Sequence, residues 1–276
     1  MEELSQIHFT QANIIFLALS VILLLAIPIA FWAFWYRRYK KKLKWKYLIG
    51  GMLGFLLSAR VLELGVHYVC LIMDNPVSRM INSHTLVYVI YGISMAGLFE
   101  EVGRYLILKY LLKKDHSYEN AVYYGIGHGG IEVWAVILPA IILELVIAVM
   151  SLTQDTQSVY KAFHITKQTA SQALPVFIAA SQYQFVSMYV NVLERIMTMF
   201  VHISLTVIVF QSIIKSKKRY LLYGIGLHML VDLFPALYQR GAVSLVVSEI
   251  GLFFLTICII VIAYRIYQIQ DMNNIN

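Results

Sequence analysis

Charge is what this sequence has least of. Its 22 Lys and Arg and 15 Asp and Glu amount to 13% of 276 residues, about half of the roughly 25% that a soluble globular domain carries. That shortage, with 60% hydrophobic residues, excludes a chain wetted on all sides. Cysteine is scarce too. Cys70 and Cys258 lie far apart inside apolar segments, so neither a disulfide framework nor a cysteine metal site is implied. Period-two alternation is missing, which argues against a membrane β-barrel. No His-Glu-x-x-His helix occurs, and no Ser–His or Cys–His nucleophile arrangement is indicated.

What the sequence does have is apolar runs of about 20 residues, the length that crosses a bilayer as helix. Seven spans are expected, at 12–36, 47–72, 86–112, 118–149, 190–214, 220–238 and 242–266. The fold class is therefore an all-α polytopic transmembrane bundle, one integral-membrane domain over 1–276. Within it, 12–72 reads as two peripheral spans, 86–238 as a motif-bearing core and 242–266 as a closing span. The stretch 171–189 reads as a peripheral segment; crossing the bilayer there would make an eighth span.

Basic residues gather in "YRRYKKKLKWK", "KYLLKK" and "KSKKRY", while the loops near 73–85, 150–189 and 239–241 carry few. By the positive-inside rule this alternation predicts the N-terminus outside, the C-terminus in the cytoplasm and a multi-pass cell-membrane location. An extra span at 171–189 would break the alternation downstream. The net charge of +7 thus reports topology and contact with the lipid bilayer, not a nucleic-acid partner. The first apolar segment is no cleavable signal: it is too long, and its basic cluster follows it. Nothing in the sequence specifies an oligomeric state.

Against this background "FEEVGRYLILKY" stands out, because Glu100, Glu101 and Arg104 sit near the middle of an apolar span. Each charge there costs about 2.5–3.5 kcal/mol on insertion scales, so such residues face the bundle interior and pair. Arg104 is four residues from Glu100 and three from Glu101, and either pair can meet on one helix face. Adjacent residues point about 100° apart, so the second carboxylate aims elsewhere. An ion pair that only locks two helices together would leave that second carboxylate without a local cation.

Three further clusters follow. "YYGIGHGGIEVW" sets His128 and Glu132 one turn apart among glycines that admit a neighbouring backbone. "ERIMTMFVHIS" puts Arg195 and His202 two turns apart, and "GIGLHMLVDLF" gives His228 and Asp232 i, i+4 spacing. With ~1.5 Å rise per residue from the cytoplasmic ends, Glu100 lies ~18 Å deep, His128 ~15 Å, His202 ~18 Å and His228 ~13 Å. Residues of four helices therefore share one layer. Glu63 and His67 have the same spacing but lie ~24 and ~30 Å deep, and are read as outer-leaflet hydrogen-bonding residues. Glu144 is deeper still, and Arg60 is a candidate structural counter-ion.

Inside a membrane cavity such groups suit hydrolysis. A carboxylate within reach deprotonates water, and imidazoles with Asp232 donate hydrogen bonds to the developing oxyanion. Imidazole and carboxylate are also ordinary ligands of a divalent metal such as zinc, with His128, His202 and His228 beside Glu100 or Glu101 as the candidate set.

"EEVGR", "YGIGHGGIE", "ER" followed by "FVHIS", and "HMLVD" resemble, in this order, the four motifs of the YhfC family of intramembrane proteases. The wider group is the CAAX-prenyl-protease and bacteriocin-immunity superfamily, which includes the PrsW proteases. Tyr124 stands where the superfamily pattern has phenylalanine, Arg104 comes one residue early, and the likeness covers 100–232. The resemblance implies that Glu100 or Glu101 activates the water and that Arg104 orients the pair. His128 would assist, His202 is the third-motif histidine, and His228 with Asp232 would stabilise the oxyanion. The expected activity is an intramembrane endopeptidase, metal-free or metal-assisted, acting on a peptide or transmembrane protein. A non-catalytic scaffold or immunity-type protein of the same fold is the alternative. A proton-coupled transporter comes third, because inverted repeats and paired broken helices are not seen.

Overall fold

The computed structural model describes residues 2–111 and 117–275. Among these described residues, seven helices are long and apolar enough to cross a membrane: α1 (Gln11–Tyr39), α2 (Trp45–Ile72), α3 (Thr85–Tyr110), α4 (Tyr118–Thr153), α5 (Phe185–Ile214), α6 (Arg219–Gln239) and α7 (Leu245–Gln268). No strand occurs among the described residues. Each expected span is present, and α5 starts at Phe185 rather than at 190. The expected end of the third span at 112, with Lys113 and Lys114 of its basic loop, lies outside the described residues.

Not every turn is α-helical. Leu56–Glu63 and Tyr68–Ile72 in α2, Ile107–Leu111 at the end of α3 and Val133–Ile137 in α4 are π-helical. Single π turns insert an extra residue, redirect the side chains around them and recur at functional sites. Here Glu63 closes the first of them, Arg104 stands three residues before Ile107, and Glu132 immediately precedes Val133.

The chain forms two compact units. The first comprises Met1–Ile27 and Val133–Arg195. Its core is Leu4, Ile147, Val159, Ala170, Phe177 and Ala180. Asp155 caps the helix Thr156–Ala162, accepting from the N–H groups of Gln157 and Ser158 at 3.0 Å each, the job this residue type does best. The helix Ala170–Gln182 has 13 residues, fewer than the roughly 20 a crossing needs. Its end is tied down by the Asn13 amide, which donates to the carbonyls of Ser181 and Tyr183 at 2.9 and 2.8 Å. The stretch 171–189 thus adds no membrane-spanning helix among the described residues; it is nearly all of this short helix, a turn and the start of α5.

The second unit comprises Pro28–Glu132 and Ile196–Asn276. Its axis is the inner part of α5, where every residue of 204–212 is buried. A stretch of helix buried on every side belongs at the centre of a bundle. Glycines set the crossings on it and around it. A Cβ on Gly125 would meet Ile203 Cα at 2.6 Å and the His202 carbonyl at 3.1 Å, so α4 lies directly on α5. Cβ atoms on Gly51 and Gly127 would overlap the carbonyls of Tyr124 and Leu48, so α2 and α4 touch backbone to backbone. Between α3 and α6, Gly97 gives the same closeness, 3.0 Å from a built Cβ to the Ile225 carbonyl. In lipid, where apolar tails compete with apolar side chains, small residues that allow such approach hold helices together.

Candidate functional site

These crossings bring α3, α4, α5 and α6 of the second unit to one place. The α3 glutamates, adjacent in sequence, part company there. Glu101 is fully buried, with Arg104 Nη1 at 3.0 Å from its oxygens. His228 Nδ1 lies 2.7 Å from Glu101 Oε1. Glu100, 100° around the helix, turns toward α4, where His128 Nε2 meets its Oε2 at 3.0 Å. Of the two, Arg104 pairs with Glu101, the i, i+3 partner.

His202 is held at both ring nitrogens. Arg104 Nη2 lies 2.9 Å from Nδ1. A guanidinium can only donate, so Nδ1 accepts and the proton belongs on Nε2. That nitrogen faces Glu132 Oε2 at 2.5 Å. Nδ1 also lies 4.0 Å from Glu100 Oε2. The three imidazoles form a row, His128 to His202 with ring centroids 4.8 Å apart and His202 to His228 5.6 Å apart. His228 Nε2 faces Asp232 Oδ2 at 3.4 Å. All seven expected residues, Glu100, Glu101, Arg104, His128, His202, His228 and Asp232, are therefore in one connected cluster.

Burial gives the cluster a direction. Arg104, Glu101 and His128 are closed off entirely. The Glu100, Glu132 and Asp232 side chains are 10%, 19% and 34% exposed. The opening is thus lined by carboxylates and the floor by the arginine. His128 reaches the floor because glycines flank it: a Cβ on Gly129 would stand 3.3 Å from the His202 side chain, and Gly51 of α2 faces the His128 backbone N–H.

One oxygen of Glu100 and one nitrogen each of His128 and His202 lie within 4.8 Å of one another. Two imidazoles and a carboxylate are the donor set of open zinc sites, so these residues fit a divalent metal. A cation there would displace both the hydrogen between His128 and Glu100 and the Arg104 hydrogen bond at His202 Nδ1, since ligand atoms must give up their protons. His228 faces a carboxylate from each nitrogen and stands outside that triad.

Two partnerships differ from the spacing in sequence. Glu132 sits one turn from His128 but pairs with His202 across the α4–α5 crossing. Arg195, two turns from His202, pairs with Glu194 at 3.2 Å. Glu63 and His67 pair within α2 at 3.2 Å, and His67 Nδ1 reaches the Tyr91 hydroxyl at 2.9 Å. Tyr91 carried no signal in the sequence beyond being a polar tip in an apolar span.

The fold and this cluster define a multi-pass membrane protein with a buried Glu–His–His group suited to a divalent metal. Residues 21–252 match the family described as "YhfC intramembrane metalloprotease". The chain is 30% identical over 269 residues, 94% of its length and 99% of the relative's, to a Bacillus subtilis (strain 168) protein described as "Uncharacterized membrane protein YhfC". This chain belongs to the YhfC family. No solved structure matches it.

Proposed function

We propose that the protein is an intramembrane endopeptidase in which Glu100 activates water against a peptide bond. The observation that carries this is the division of labour between adjacent glutamates. Glu101 is fixed by Arg104 and His228. Glu100 presents only Oε2 to His128 and His202, leaving Oε1 for a water at the opening. In this reading Glu100 takes a proton as the water oxygen attacks the carbonyl carbon, and delivers it to the departing amide nitrogen. His228, held at Nδ1 by Glu101, would offer its Nε2 N–H to the oxyanion that develops, with Asp232 at 3.4 Å beside it. Arg104 holds Glu101 and His202 in register, and closed helices around the floor keep bulk water from competing.

Glu100, His128 and His202 would hold a divalent cation such as zinc, which when bound supplies Lewis-acid polarisation of water and carbonyl. The substrate class is a peptide or a transmembrane segment presented near the cytoplasmic half of the bilayer. The basic loops support an N-terminus outside and a C-terminus inside. The four ordered motifs support a place beside the CAAX-prenyl-protease and PrsW groups.

The test uses purified protein in detergent, a panel of transmembrane peptides and mass mapping of products. Cleavage that is lost on chelation and restored by zinc is the expected result. Products that appear equally with Glu100→Gln would sink the glutamate mechanism.

A further inference from the structure

We propose that Glu132 is a positioning residue: it fixes the ring orientation and tautomer of His202, so that Nδ1 keeps the lone pair, on the side where Arg104 Nη2 lies at 2.9 Å and Glu100 Oε2 at 4.0 Å. This rests on the reading of those three residues as the centre that handles water or a cation. Glu132 is the last residue of the α-helical stretch Tyr118–Glu132, immediately before the π turn Val133–Ile137. Its carboxylate crosses to α5, where Oε2 lies 2.5 Å from His202 Nε2, an ion-pair contact.

The rest of His202 is already immobile. Its carbonyl accepts from the Thr206 hydroxyl at 2.6 Å, and Gly125 and Gly129 press α4 against it. Ring rotation is the freedom left, and a flip would put a ring carbon where each nitrogen stands. A carboxylate on Nε2 and a guanidinium on Nδ1 make only one orientation acceptable, since the first must receive a proton and the second must give one. His128 has no such support: its Nδ1 lacks a hydrogen-bond partner among the described residues. Glu132 therefore singles out His202 as the oriented imidazole of the triad. A carboxylate behind a metal-binding histidine fixes its tautomer, and losing it typically weakens metal binding about 10–100-fold.

The test compares full-length wild type, Glu132→Leu and Glu132→Gln in detergent. Zinc affinity is expected to fall about 10–100-fold in Glu132→Leu and to stay near wild type in Glu132→Gln, whose amide oxygen accepts the same N–H. A residue needed only for packing would not be rescued in this way, because leucine fills the space as well as glutamine. A second readout needs neither metal nor substrate. With ¹⁵N-histidine labelling, wild type should show a strongly deshielded His202 Nε2–H proton, assigned with His202→Gln. It should persist in Glu132→Gln and vanish in Glu132→Leu. If that proton is absent from wild type, survives in Glu132→Leu, or zinc affinity is unchanged by leucine, the positioning role is overturned. Wild type that shows the proton but takes up no zinc would instead overturn the metal reading, with the proton's response to leucine deciding the role of Glu132.

Discussion

Glu63 and His67 on α2 and His128 and Glu132 on α4 are the same pair of residue types at the same one-turn spacing, yet they end differently. The α2 pair closes on itself at 3.2 Å and adds one hydroxyl, Tyr91, from one neighbouring helix. On α4 the two residues ignore each other: His128 reaches Glu100 on α3, and Glu132 reaches His202 on α5. Spacing permits a pair. Helix crossings decide whether it is spent locally or joined to three other helices, and only the second outcome makes a site.

The largest expected effect comes from breaking the floor of the layer. Glu101→Gln leaves Arg104 buried without its carboxylate, and removing one partner of a buried ion pair costs about 3–5 kcal/mol. Thermal unfolding in detergent should show the lowest midpoint of any single change considered, with activity lost alongside. Glu100→Gln should leave the midpoint close to wild type, which separates the two glutamates.

Next comes the crossing itself. Gly127→Ala drives a methyl into the Leu48 carbonyl, and backbone has to move; overpacking of this kind costs about 1–3 kcal/mol. Because the displaced helix carries His128, zinc affinity should fall with stability. Unchanged affinity would mean that the α2–α4 contact does not position the triad.

On the other side of the comparison, Glu63→Gln should cost about 1 kcal/mol of stability, the worth of an ordinary hydrogen bond, and leave cleavage at the wild-type rate. Slower cleavage without loss of fold would make the α2 pair part of the site. The smallest effect is expected in the first unit. The Ser158 hydroxyl and the N–H groups of Ser158 and Gln157 hold the Asp155 carboxyl below its usual range. A carboxyl depressed in the fold stabilises above its unfolded value and stops doing so as pH falls through the folded one. Asp155→Ala should thus lower the unfolding midpoint slightly at neutral pH and not at all in strong acid.

Most of the fold was legible because lipid leaves so little choice. A run of about 20 apolar residues can only be a helix, so seven spans follow from hydropathy. The layer was legible for a related reason: charges at that depth must pair, and counting residues from the basic loops put Glu100, His128, His202 and His228 at one level. What escaped was whatever depends on rotation. Glu132 was next to His128 in sequence, but its partner is set by the α4–α5 crossing at Gly125 and Gly129. The π turns that redirect side chains near Arg104 and Glu132 leave no mark in composition. The choice of Arg104 for Glu101 over Glu100 likewise follows from which face of α3 meets α6. The early start of α5 at Phe185 was hidden by a polar turn, "SQYQ", that hydropathy alone cannot assign to either side.

The deciding question is whether the layer does chemistry that the α2 pair does not. Single-turnover cleavage of one transmembrane peptide by Glu100→Gln and Glu63→Gln, per folded molecule, tests this most directly. Loss of a general base should slow Glu100→Gln about 10²–10⁴-fold, with Glu63→Gln at the wild-type rate. Equal rates for the two variants, whether both fast or both slow, would contradict it.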